Sequence, residues 1–567
     1  LPLCWIVAWL VILFEPPSTP RLPLPLDRLI VTLEWTRSLL VFIPVWLLPL
    51  TLIAIFSSNV IGIKSGGSVT NSGSITFDSD GNVTGISGTD ATNNGTITIK
   101  NYKNGTGDKN VGVYGSTSAS NTGDINVSGH YYNAGLLSPG DVTNTKTITV
   151  NGSYSDGINS TTGNAYSSLT NSAITVNGSN SNGIRGYVNA SLSDGSVSVS
   201  GNNSNGIYAV TGDASSTHGT VTMTGSNNHG VYAAAGNVSV TSSSTIKVLG
   251  GSHNNGVYAP SGNTTVSGST IKVGETGKET HNSNGINLIK NSATNSITNT
   301  EIDMVGDSNI GVRVAEPGNM TFQGNHMKMS GTGNYGLYLA PNKTISAITN
   351  NSTTSDGSSN VGIFISDKAE ITSISGGTHT VNGTTSTGVD INTKKNTTIE
   401  NNTFNVNNYS STGIRAGRTD PDTGSTGNLT IKNSTFNILN TSGSFGSNNN
   451  NNSASAVYLY NVTKTTVDPT TTFNIYKNSI GFEVENSGYD NREIAFTGQD
   501  NSHYVIMNLK HSIDNSTKSG TTADPARKDS ETGPLDGNIG FNIINGNFGT
   551  REGSRGINVH GNFDSHI

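Results

Sequence analysis

The stretch Ser196 to Ala209, SVSVSGNNSNGIYA, holds one unit of the pattern that decides the fold. Val197 and Val199 alternate with serine, the period of a half-buried strand. Gly201 to Asn205 follow as a turn cluster, in which glycine and asparagine adopt positive φ cheaply. Gly206-Ile207-Tyr208-Ala209 then reads as a second short strand.

Working outward, the glycine and its apolar follower return throughout the chain. The register runs Gly112, Gly135, Gly157, Gly183, Gly206, Gly230, Gly256, Gly285, Gly311, Gly336, Gly362, Gly388 and Gly413. A period of about 25 residues marks a stacked repeat fold. The alternating strand recurs with it, as Ile148/Val150, Ile174/Val176, Val221/Met223, Ile246/Val248, Ile271/Val273, Phe404/Val406 and Phe436/Ile438. At His379/Val381 the inward slot holds histidine, expected to be an interior side chain rather than a ligand, because no second ligand type repeats at its level.

The glycine strand shows its two faces. The residue after glycine is apolar at every repeat, from Val113 to Ile414. The next slot accepts Tyr208, Asn287, Arg185, Arg313, Phe364, Asp390 or Arg415, and a slot that tolerates arginine and aspartate is expected to face water. The slot after that is apolar or small again, as in Ala209, Leu288 and Ile365. This is strand alternation. No stretch beyond residue 63 keeps apolar period 3.6 long enough for a helix, which makes leucine-rich, ankyrin and similar helix-bearing repeats poor fits. The reading is all-β: a parallel β-helix solenoid of ~25-residue coils, right-handed by the usual hand of parallel crossovers. At about 4.8 Å per rung, about sixteen coils give a rod of roughly 75–80 Å, along which turn asparagines and serines can form ladders.

Composition bounds the function. The chain has 567 residues, 12% charged, with 69 glycines and a net charge of −7. The apolar phase argues against disorder. No basic stripe with interleaved aromatics appears, so nucleic acid is not an expected partner. The single cysteine, Cys4, leaves the repeats without disulfides or thiolate metal sites.

Residues 1–63 differ from the rest. All four tryptophans, Trp5, Trp9, Trp35 and Trp46, lie here. The run from Leu39 to Phe56 has about the length of a membrane helix but is interrupted by Pro44 and Pro49. Arg28 and Arg37 precede it and Ser57-Ser58-Asn59 follow, an order resembling an export signal, with a membrane anchor as the alternative. The solenoid is expected over 64–567, with loop insertions near 416–454 and 498–537. The first contains Asn448 to Asn452; the second is the most charged stretch and includes Lys510, Arg527 and Lys528. A solvated loop is the plain reading of that stretch, a partner-binding loop the sharper one.

Chemistry is scarce. No zinc-helix motif, phosphate-cradling loop with lysine, or nonapeptide calcium repeat occurs. β-Helix enzymes that cut polysaccharides need clustered carboxylates, whereas Asp390 is the only carboxylate in the outward slot from Gly112 to Gly413, flanked by Phe364 and Arg415. No catalytic residue, cofactor or metal is therefore expected. One surface feature stands out: Tyr208, Tyr232 and Tyr258 fall on three consecutive coils, and Tyr338 and Phe364 on another pair. Stacked one rung apart, they stabilise a sheet or offer a platform to a sugar or protein partner.

The strings NNSNGIYA (202–209), SNNHGVYA (226–233) and SHNNGVYA (252–259) resemble the passenger regions of large autotransporter adhesins, especially those of fusobacteria and their relatives. The resemblance covers about residues 64–567 and rests on repeat style. It implies export to the outer membrane surface of a diderm bacterium and roles in adhesion, aggregation or biofilm, with a host-cell or bacterial surface protein or glycan as partner. Such proteins end in a membrane β-barrel of alternating amphipathic strands, and none is present in this sequence, so a fragment or another export route is expected. A secreted polysaccharide-degrading β-helix enzyme and a phage tail fibre are the competing readings.

Overall fold

The computed structural model describes most of residues 51–485 and, beyond them, strands Glu493–Phe496, Ile506–Leu509, Ile539–Ile544 and Asn558–His560. It is an all-β parallel solenoid with coils of about 25 residues. The coil after Ser196–Ser200 shows the plan. It runs through Asn205–Ala209, then Ala214–Thr217, then Thr220–Thr224, before His229–Ala233 opens the next coil. Each coil thus has three strands, here called the glycine, middle and alternating strands. Ile207 pairs with Val231, Ala214 with Val238 and Val221 with Ile246, all in parallel. Among the described residues, the alternating strands form an 18-stranded sheet, and the glycine and middle strands together a 34-stranded one. The latter two ladders join where Val83–Asn93 and Val111–Asn121 run through both without a break.

The middle strand is the element the sequence pattern does not announce. Ala214–Thr217 turns Ala214 and Ser216 inward, so it lacks the two apolar residues that mark a strand. In neighbouring coils the same slots hold Leu192, Val240, Val266 and Ile297, all buried.

The core is a narrow apolar column, and it explains the glycines. At Gly183 an added Cβ would lie 2.2 Å from Val197 Cγ1 of the facing strand and 2.7 Å from the Gly206 carbonyl oxygen. Both are far inside van der Waals contact, so any side chain there forces the coil apart. Further along, the facing slots change to His379, Phe404, Phe436 and Phe473, whose rings stack at 5.0, 4.8 and 4.7 Å. There the side-chain crowding relaxes: at Gly413 the facing Phe404 and Phe436 atoms lie at 3.4 Å. The next position in that column is Ala456, the residue pattern expected from the added room.

Polar ladders close the corners. The Ser204 amide donates to Asn228 Oδ1, the Asn228 amide to Asn254 Oδ1 and the Asn254 amide to Ser283 Oγ, each at 2.9 Å. These side chains are buried, so the ladder supplies acceptors that water cannot. The expected turn ladders are therefore present, though inside the coil rather than only on its surface.

The ladder reaches back across the composition boundary at 63: Thr51–Phe56 pairs with Ser74–Ser79, and Val60 with Val83. The rest of the expected export segment lies outside the described residues. Within the 416–454 interval, Leu429–Lys432 and Thr435–Ile438 are ordinary rung strands, paired with Thr397–Glu400 and Thr403–Val406. The extra length therefore falls on 418–426 and 440–453, outside the described residues. Within 498–537, Ile506–Leu509 pairs with Thr472–Ile475.

Candidate functional site

The outward slot of the glycine strands forms a continuous column along the solenoid. In order of coils it reads Asn159, Arg185, Tyr208, Tyr232, Tyr258, Asn287, Arg313, Tyr338, Phe364, Asp390, Arg415 and Tyr458. The sequence-predicted aromatic residues are thus brought together, in two groups separated by Asn287 and Arg313. Two of its arginines donate back to the asparagine of the preceding coil: Arg185 Nη1 to Asn159 Oδ1 at 2.9 Å, and Arg313 Nη1 to Asn287 Oδ1 at 3.2 Å. The Arg185 guanidinium carbon then sits 6.0 Å from the centre of the Tyr208 ring, at the outer range of a cation–π contact.

Ring geometry decides what this column can do. Tyr208 and Tyr232 are 5.0 Å apart and 4° from parallel; Tyr232 and Tyr258 are 5.5 Å apart at 14°. The rings are half-buried and take up one another's faces. His229, three residues before Tyr232 on the same strand, packs 5.0 Å from Tyr232 and 5.1 Å from Tyr258. Burial pushes the His229 ring down to about 4, so it packs as a neutral ring. Burial, with Tyr208 and Tyr258 beside it, raises the Tyr232 hydroxyl above its ordinary value. In the second group Tyr338 and Phe364 stack at 5.2 Å and 22°, with Tyr335 edge-on to both. This is cross-strand stacking that stabilises the sheet, and it offers few free ring faces to a ligand.

One expectation is corrected. Asp390 belongs to the outward column but does not face water: it is 4% exposed. Phe364 and Arg415 flank it on the adjacent coils, and the Arg415 guanidinium lies 3.8 Å away. Residue type in a slot does not report how far its neighbours lean over it. Burial raises the Asp390 carboxyl to about 6, opposed by Arg415 and by the hydrogen bond from Asn392.

His379 is interior, as expected, and fully buried. Its Nδ1 lies 3.0 Å from Thr353 Oγ1. Burial pushes it down to about 4, with the Asn402 side chain opposing. Lys510, Arg527 and Lys528 lie outside the described residues.

The aromatics with open faces sit elsewhere, and the sequence reading passed over them. Tyr132 and Tyr154 occupy the corner between alternating and glycine strands and are 47% and 49% exposed. The available signal is aromatic residues inside turn clusters, in GHYYNAG (129–135) and NGSYSDG (151–157), where the next three coils carry asparagine.

Fold and surface together place the chain among parallel β-solenoid proteins. Comparison with protein-family models, with curated proteins and with solved structures found no match.

Proposed function

We propose that the chain is the extracellular rod of a surface-displayed bacterial adhesin, acting in attachment, aggregation or biofilm by holding binding groups away from the cell. The observation that carries this reading is the solenoid itself. Its interior is filled with side chains, and its ordered outer columns and corners carry the chemistry in repeating, rigid positions. Rigid presentation lowers the ordering cost of binding, and repetition along a rod permits multivalent attachment. The resemblance of the glycine repeats to autotransporter passengers supports the same reading, with a surface glycan or protein as partner and the outer membrane of a diderm bacterium as the site of display.

The test is attachment. Beads coated with the purified chain should bind epithelial or bacterial cells above uncoated beads, and free chain should compete. Absence of binding to every cell type tried would count against the proposal. Tyr232→Ala with Tyr258→Ala should leave attachment unchanged, because those rings occupy one another's faces. Lost attachment by a folded double variant would instead place the binding surface on the aromatic column.

A further inference from the structure

The corner before the glycine strand takes a left-handed residue in coil after coil. Asn180, Asn203, Asn227 and Asn282 stand there with φ from 48° to 56°. Asparagine suits this conformation, because its short amide tolerates the left-handed region. In two adjacent coils the position is held by Tyr132 and Tyr154, both at φ 55°. A bulky aromatic there is strained by about 1–2 kcal/mol relative to an ordinary backbone conformation. The fold does not need it, since asparagine makes the same turn in the next three coils, and His253, Ser308 and Thr385 hold the slot at φ 54–58° further along.

The strain brings the rings to the surface as a group. Tyr132 and Tyr154 have centres 5.3 Å apart and planes 32° apart. Tyr131 lies 6.3 Å from Tyr132 and 6.2 Å from Tyr154, and His130 stands edge-on to Tyr131 at 4.3 Å. Unlike the stacked column, these rings are splayed, and the two at the corner keep nearly half of their surface in water. The backbone beneath is fixed. The Tyr132 amide donates to the Ser153 carbonyl at 3.0 Å and the Tyr154 amide to the Ser179 carbonyl at 2.8 Å. Just inside, buried Asn133 accepts from Asn110 Nδ2 at 2.9 Å and donates to the Asn151 carbonyl at 2.8 Å.

We infer that His130, Tyr131, Tyr132 and Tyr154 form a docking platform for a neutral pyranose of a surface glycan. The inference rests on the adhesive reading above and names its ligand. A pyranose presents a flat patch of C–H groups about as wide as one aromatic ring, and splayed rings on a convex corner suit that shape. The polar surroundings point to an uncharged sugar. Ser128, Asn151 and Asn177 make up the polar row beside the corner, with Asn177 Nδ2 donating to Asn151 Oδ1 and Asn151 Nδ2 to Ser128 Oγ. The carboxylate nearest in sequence, Asp156, accepts from Asn182 on one oxygen and from Asn159 on the other. The four platform residues include no Lys, Arg, Asp or Glu; exposed Lys109 holds the same corner position one rung before Tyr132, so the commitment to a neutral sugar rests on the ring faces.

Substitution by asparagine separates function from folding. Tyr132→Asn with Tyr154→Asn places at both corners the residue that later coils use, so thermal stability should be equal or higher. Binding of the full chain to immobilised lactose and N-acetyllactosamine should fall at least tenfold, and sialylated forms should bind no better than the neutral ones. The Tyr132→Phe, Tyr154→Phe variant keeps the ring faces and should retain most of the binding. Wild-type chain that binds none of the neutral glycans, or a folded asparagine variant that binds them undiminished, overturns the inference. If wild-type beads attach to cells and the asparagine variant attaches equally, the adhesive reading stands and this site falls. If wild-type beads attach to no cell, the adhesive reading itself falls.

Discussion

One coil carries two buried titratable groups whose effects cancel, and separating them gives a sharp test of the burial described above. His379 and Asp390 lie on the alternating and glycine strands of the same stretch, 0% and 4% exposed. The folded chain raises the Asp390 carboxyl from 3.8 to about 6. Its stabilising contribution is therefore fully present below 3.8 and is lost as pH rises through about 6. The folded chain lowers His379 from 6.5 to about 4, so its contribution is present above 6.5 and is lost as pH falls through about 4. Near pH 5 the folded coil holds roughly one proton on Asp390, and the unfolded coil holds roughly one on His379, so the slope of stability with pH is close to zero. In the Asp390→Asn variant only the histidine remains. Local stability should then rise with pH by about 1 kcal/mol per unit across this window, for a total of about 3 kcal/mol. His379→Gln should show the opposite slope. Hydrogen exchange of peptides covering 378–392, corrected for intrinsic rates, reads this out. A steep profile in the parent chain together with a flat one in Asp390→Asn would refute the reasoning.

The remaining predictions concern the stacking itself. Gly183→Ala should loosen its coil more than Gly413→Ala does, because the facing side-chain atoms lie at 2.2 and 3.4 Å respectively; protection of the neighbouring strands measures the difference, and equal effects would contradict the packing argument. Asn228→Ala removes the acceptor of the buried Ser204 amide and should cost about 1–3 kcal/mol of local stability. Asn228→Ser should cost less, since serine fills the equivalent corner at Ser204 and Ser283.

The two strands with alternating apolar residues were legible because their inward slots are chemically distinct from their outward ones. Val197 and Val199 against serines, or Ile207 and Ala209 around Tyr208, declare two faces. Ala214–Thr217 does not: with one alanine and one serine inward, it is held by pairing to its neighbours on adjacent coils, which local sequence does not report. The Asp390 slot was misjudged for a related reason. It lies in the outward column, but its neighbours there, Phe364 and Arg415, are about 25 residues away on either side, so local sequence does not report its burial. Tyr132 and Tyr154 are not legible, because turn residues are marked by glycine and asparagine and an aromatic in the same left-handed slot carries no periodic signal. The stacked column illustrates the converse. Its residues and register were readable, whereas the 4° between Tyr208 and Tyr232, which turns their faces toward each other, was not.

A surface-displayed rod must be reachable from outside the cell. Antibodies raised against the purified chain should label intact, unpermeabilised cells of the organism that makes it, and protease added outside those cells should remove the label. Labelling that appears only after permeabilisation, with full resistance to external protease, would contradict the surface-displayed adhesive rod proposed for this chain.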